Sequence, residues 1–224
     1  FKTGDIRYSG IINPSMMGYS TQDGFSYQQK FAIGFNLPCQ QRINVNLFGG
    51  YVFGRKQWTY GLNTVWNYEP TRLGYFSIAA GRGNPSYSSR FLHELSDSLH
   101  KLQEKNLRFY KDYYFKLFNN IELTNGLQLG VGINYHVRQP IKDALRTANE
   151  NGDSEIFALQ YNFTPIISLS WTPGQYYLLD RTQKIYLRSD YPTFKVEYVQ
   201  NINGVMGSTS SFNRIEVDIN QRIQ

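Results

Sequence analysis

Apolar and polar residues alternate one for one along most of this chain, and they do so in unusually long runs. The clearest run is Asp112 to Arg138. Tyr113, Phe115, Leu117, Ile121 and Leu123 hold odd positions against Asp112, Lys116, Asn120 and Glu122. Then Leu127, Leu129, Val131, Ile133, Tyr135 and Val137 alternate with Gln128, Gly130, Gly132, Asn134, His136 and Arg138. A period of two marks a strand whose two faces meet different surroundings. Between the arms lies Thr124-Asn125-Gly126, where Asn-Gly supplies the positive φ that a tight antiparallel turn demands, so the stretch is predicted to be a hairpin. Each arm has about a dozen residues, roughly twice a usual soluble strand.

The same period predicts further strands. Phe25, Tyr27, Phe31, Ile33 and Phe35 oppose Ser26, Gln28, Lys30, Gly34 and Asn36, with Pro38 ending the run. Ile43 to Phe53, Trp58 to Glu69 and Phe157 to Trp171 follow the same rule, and Pro165 marks a bulge or an edge in the last of these. Leu73 to Gly81 is a less regular strand, whereas Ile215, Val217 and Ile219 alternate cleanly with Arg214, Glu216 and Asp218. Between residues 175 and 192 the parity changes from Ile185 and Leu187 to Phe194, Val196 and Tyr198, so either a bulge near Asp190 or two short strands are expected. Phe1 to Asp23 has no sustained period and fits an edge strand, a loop or a tail. One segment departs to helical spacing: Phe91, Leu92, Leu95, Leu99 and Leu102 predict an amphipathic loop helix near residues 88–108.

Strand length points to a bilayer. From Trp58 to Tyr68, at about 3.3 Å per residue and a tilt of about 40°, the chain rises roughly 25 Å, the height of the apolar band of an outer-membrane barrel. Trp58, Trp66, Tyr68, Tyr113, Tyr135 and Trp171 are the predicted membrane-interface aromatics. The fold class expected is all-β, an antiparallel transmembrane β-barrel of outer-membrane type spanning residues 1–224 as one domain. About nine strands are visible, and because bacterial barrels have even strand numbers the chain reads as part of a larger barrel, without its N-terminal domain and closing strands. Short links near residues 37–41, 70–72 and 124–126 alternate with longer ones, which assigns the short turns to the periplasmic side. Arg55 to Gln57 is a short exception to this alternation, and Pro173 to Gln183 a long one.

Composition changes this picture little. Aromatic residues reach 16% while charged residues stay at 18%, and no apolar run is long enough for a spanning helix. The net charge of +6 is scattered singly among strands, which argues against nucleic acid as a partner. Cys39 is the only cysteine, so no internal disulfide framework exists.

Three phrases, Glu122 to Leu129, Leu169 to Tyr177 and Ser189 to Tyr198, resemble a Bacteroidetes outer-membrane barrel family of unknown function. The resemblance implies an N-terminal carboxypeptidase-regulatory-like domain in members of that family, and a surface-antigen-type barrel distantly similar to BamA and TamA. It implies no catalytic residues, and the arginine-containing loop of the assembly-factor barrels has only a weak counterpart in Gly81-Arg82-Gly83.

Candidate chemistry is sparse. Glu122, His136 and Arg138 are expected to form an electrostatic network inside the barrel. His93, Asp97 and His100 share a predicted helix face, but the histidines lie about 10 Å apart along its axis, too far for one zinc ion. No catalytic, cofactor or metal site is therefore expected, and with three histidines the chain reads as no enzyme. Inward charges of both signs argue against an ion-selective pore. The expected role is a scaffold or docking component of an envelope assembly in the outer membrane, in contact with outer-membrane lipid and other envelope proteins. A passive or gated conduit is the alternative, and a soluble lipid-carrier-like barrel the third reading.

Overall fold

The computed structural model describes residues 4–8, 10–11, 13–20, 24–54, 56–83, 110–140, 159–181 and 183–221. The expected helix at 88–108 and most of the loop after Gln139 lie outside them. The chain forms β1 (Gly4–Tyr8), β2 (Met17–Ser20), β3 (Gly24–Asn36), β4 (Arg42–Val52), β5 (Gln57–Glu69), β6 (Gly74–Arg82) and β7 (Tyr110–Thr124). It continues with β8 (Leu127–Pro140), β9 (Gln160–Trp171), β10 (Tyr177–Asp180), β11 (Gln183–Tyr186), β12 (Thr193–Asn201) and β13 (Phe212–Asn220). No α-helix occurs among the described residues, and none of their helices is long and apolar enough to cross a membrane.

One eleven-stranded antiparallel sheet has the order β1-β3-β4-β5-β6-β7-β8-β9-β12-β13, with β2 continuing the β1 edge against β3. The nine strands expected from periodicity are β3 to β9, β12 and β13. The unassigned N-terminal stretch supplies the edge strands β1 and β2. The residues between 175 and 192 make two short strands, β10 and β11, that pair only with each other. The sheet is not closed: among the described residues, β1 and β2 have no pairing partner beyond β3, and β13 has none beyond β12.

Register keeps the alternation on one face throughout. Leu47 pairs with Phe31 and Leu62, Leu117 with Ile78 and Ile133, and Leu169 with Leu129 and Val196. Such pairs bring the apolar side chains of neighbouring strands together in a continuous layer. That layer is open to its surroundings. Trp58 is 66% exposed and Val217 62%, whereas Val199 is the one hydrophobic side chain buried among the described residues. A water-soluble sheet would turn this face onto a core.

Two details refine the turns. At the β7–β8 turn only Gly126 takes a positive φ, of 78°, while Asn125 stays outside the left-handed region. A register shift between Glu122 and Thr124 accompanies it, so a bulge adjoins the turn, and the positive φ expected of the Asn-Gly pair is taken by the glycine alone. Pro165 stays inside the β8–β9 ladder, opposite Ile133, but on the other side β12 pairs only as far as Ile166. The missing N–H thus coincides with the end of a ladder.

Candidate functional site

Antiparallel order puts the links at residues 37–41, 70–73, 125–126 and 172–192 at one end of the sheet, here called the turn end, and the remaining links at the other. The polar face carries two clusters, one toward each end.

At the turn end the long 172–192 link folds its β10–β11 hairpin against the β7–β8 turn. Alternation along β11 leaves Lys184 buried and Gln183 and Ile185 exposed. Lys184 Nζ reaches both carboxylate oxygens of Glu122 at 2.6 Å, and the Tyr186 hydroxyl donates to Glu122 Oε1 at 2.5 Å. The Gly126 N–H donates to the same oxygen at 2.9 Å and also to the Tyr186 hydroxyl at 3.1 Å. Glu122 is 3% exposed and Lys184 7%, so both charges are removed from water and each depends on the other. Lys184 also sits 4.2 Å from the centre of the Tyr177 ring, which pairs with Tyr186 across the hairpin. Burial pushes the Tyr186 phenol up to about 12, with the Glu122 hydrogen bond adding to the effect.

Backbone contacts complete the seat. Asn125 Nδ2 donates to the Gln175 carbonyl at 2.7 Å, and the Thr172 N–H donates to the Gly126 carbonyl at 2.9 Å. Arg72 Nε donates to the Glu122 carbonyl at 3.0 Å, bringing in the β5–β6 turn. Gly126 is required twice over, by its φ and because a Cβ there would overlap the Thr172 carbonyl oxygen.

Toward the opposite end, His136 Nδ1 lies 3.2 Å from both oxygens of the buried Asp112 carboxylate. Arg138 stands opposite Asp112 in register. The expected trio of Glu122, His136 and Arg138 is therefore split. Glu122 pairs with Gln128 in the ladder and His136 with Tyr114, about eight residues or roughly 26 Å farther along β7. Sequence alternation put the three on one face correctly, but a dozen-residue strand keeps its ends apart. Lys184, Tyr186 and Asp112 were not among the candidates. Lys184 lies in the segment of uncertain parity, and only the fold brings it to Glu122.

A third cluster secures the link after β12. Fully buried Asn201 donates to Asn162 Oδ1 at 3.2 Å and to Ser210 Oγ at 2.5 Å, and it accepts from Ser208 Oγ at 3.2 Å.

The six aromatics expected at an interface fall at two levels. Trp66, Tyr68 and Trp171 lie toward the turn end; Trp58, Tyr113 and Tyr135 lie toward the other. Trp58, Trp66 and Trp171 are exposed, and the three tyrosines are half-buried. No group of three or more His, Cys, Asp or Glu side chains capable of holding a metal occurs among the described residues.

An open antiparallel sheet with one exposed apolar face and clustered charges on the other defines the class of this chain. Residues 1–224 match the model of the C-terminal domain of a family of unknown function, DUF5686, and the chain belongs to that family. The match includes neither a carboxypeptidase-regulatory-like domain nor a BamA- or TamA-type barrel. No curated protein and no solved structure matches the chain.

Proposed function

We propose that this chain is the wall of an outer-membrane β-barrel that serves as a scaffold or docking component of an envelope assembly. The observation that carries the reading is the exposed apolar face, which runs across the whole sheet and has no core covering it among the described residues. In water such a face is costly, at about 25 cal/mol per Å² of apolar surface, whereas lipid removes the cost. The two aromatic levels fit the two interfaces of a bilayer. On this reading the turn end is periplasmic.

Scaffolding is favoured over conduction by the β10–β11 hairpin, because its buried Lys184–Glu122 pair fixes an element at the turn end of the polar face. A conduit is the second reading, supported by the open cavity of about 1090 Å³ beside that face. Size-exclusion chromatography with and without detergent tests membrane residence. The protein is expected to aggregate when detergent is removed, and a monodisperse detergent-free species would end the proposal. Planar-bilayer recording separates the two roles: scaffolding predicts silence, and steady conductance would replace it with the conduit.

A further inference from the structure

We infer that the apolar face of strands β6 and β7 binds a lipid through its headgroup phosphate, held by Arg82 and Lys111; the inference rests on the barrel-wall reading. Short of the turn-end bulges, these two are the only charged side chains that the described strands of the large sheet place on the apolar face. Arg82 continues the β6 series of Phe76, Ile78 and Ala80, and Lys111 the β7 series of Tyr113, Phe115 and Leu117. They are also neighbours. Arg82 pairs with Tyr113 in the ladder, so Lys111, two residues away on β7, stands diagonally across from it at about 7–8 Å, close enough for both to hold one phosphate.

Two like charges side by side on a face that meets hydrocarbon are costly unless something answers them. Arg82 stands opposite Tyr60, two residues inside the Trp58 end of the apolar band, or roughly 5 Å along the membrane normal. Neither cation makes a hydrogen bond or ion pair among the described residues, and Arg82 Nε is covered without an acceptor. Cations of the polar face differ: Asp5 holds Arg7 at 3.0 Å and Arg42 at 2.8 Å, and Glu197 holds both Lys195 and Arg214 at 3.3 Å. At the depth of Arg82 the anion that a membrane supplies is a headgroup phosphate.

The surroundings fit the rest of a lipid. The Arg82 guanidinium lies 5.5 Å from the centre of the Tyr113 ring, a contact that restrains it while its charge stays available to an oxyanion. Exposed Trp58 and Tyr60 supply the amphipathic rings that favour headgroup level. Toward the turn end, Ala80 stands between Leu62 and Phe115, a small side chain between two large ones, which leaves a groove along β6 for an acyl chain. With the turn end periplasmic, this lipid belongs to the outer leaflet.

Native mass spectrometry of the full chain, released from nanodiscs of phosphatidic acid and phosphatidylcholine in equal parts, is the test. One retained phosphatidic acid is expected, with retention about tenfold lower in Arg82→Gln and in Lys111→Gln, the loss of one charge-assisted hydrogen bond. Lys116→Gln removes the same charge from the opposite face of β7 and should leave retention unchanged. Melting temperatures in detergent check folding, and Lys111→Gln carries the test if Arg82→Gln melts early through loss of the Tyr113 contact.

No retained phosphatidic acid in the parent overturns the inference. So does retention that falls equally in Lys116→Gln, which would mean general attraction to a cationic protein. Both outcomes leave membrane residence standing, because the need for detergent tests that reading separately; a protein monodisperse without detergent removes the two together.

Discussion

The two ends of the β7–β8 hairpin carry similar residues in different electrostatic settings. At the turn end Glu122, Lys184 and Tyr186 form a closed set in which both charges are buried and every strong donor has an acceptor. Toward the other end Asp112 meets His136, while Lys111 and Lys116 on the same strand hold no carboxylate among the described residues. The difference follows from water. A charge withdrawn from solvent must be matched, or it costs several kcal/mol, whereas a charge beside an open cavity is tolerated unmatched. Pairing at the turn end is thus a condition of the fold.

The comparison breaks most clearly at Lys184. Lys184→Met leaves a buried carboxylate with only neutral donors and is expected to cost about 3–5 kcal/mol. Because the hairpin can detach without unfolding the sheet, the loss should appear as rapid hydrogen exchange at Tyr177 to Tyr186, with β8 amides still protected. The double change Glu122→Leu with Lys184→Met removes both charges and should restore most of the protection. If it does not, the charges themselves carry less than the surrounding contacts. Gly126→Ala comes next, at about 2 kcal/mol, from the left-handed φ and the overlap with Thr172. Thermal unfolding in detergent should show it as a lowered transition, and an unchanged one would mean that the turn has relaxed.

Much of the sheet is legible in the sequence because a period of two needs only local information. Phe31, Leu47 and Leu62 reveal their common face without any knowledge of their partners. The charged clusters depend on distant pairing. Glu122 and Lys184 are separated by 62 residues, and Lys184 sits in a hairpin too short to set a parity. Glu122 and His136 looked like neighbours because both alternate inward on paired arms, yet register sets them at different levels. The β1–β2 edge was illegible for another reason: the stretch of Gly, Pro and Ser between its halves breaks the period before either half is long enough to read.

At the opposite end of the hairpin a smaller effect is expected. Asp112→Ala removes the partner of His136 from a site with access to the cavity, where water can replace it, and about 1–2 kcal/mol should be lost. A cost near that of Lys184→Met would abolish the distinction drawn between the two ends.

The finest test of the closed end uses pH. Burial and the Glu122 hydrogen bond raise the Tyr186 phenol to about 12, whereas in the unfolded chain it ionises near 10.0. Between those values the folded protein keeps a proton that the unfolded chain has released. Stability from this group is therefore complete below pH 10 and declines as pH rises toward 12. Tyr186→Phe forfeits the hydrogen bond, at about 1 kcal/mol or less near neutral pH, but it also removes that decline. Hairpin exchange rates compared at pH 9 and pH 11, corrected for intrinsic chemistry, should rise more steeply in the parent than in Tyr186→Phe. Parallel slopes would mean that the phenol titrates freely and that the turn end is closed by Lys184 alone.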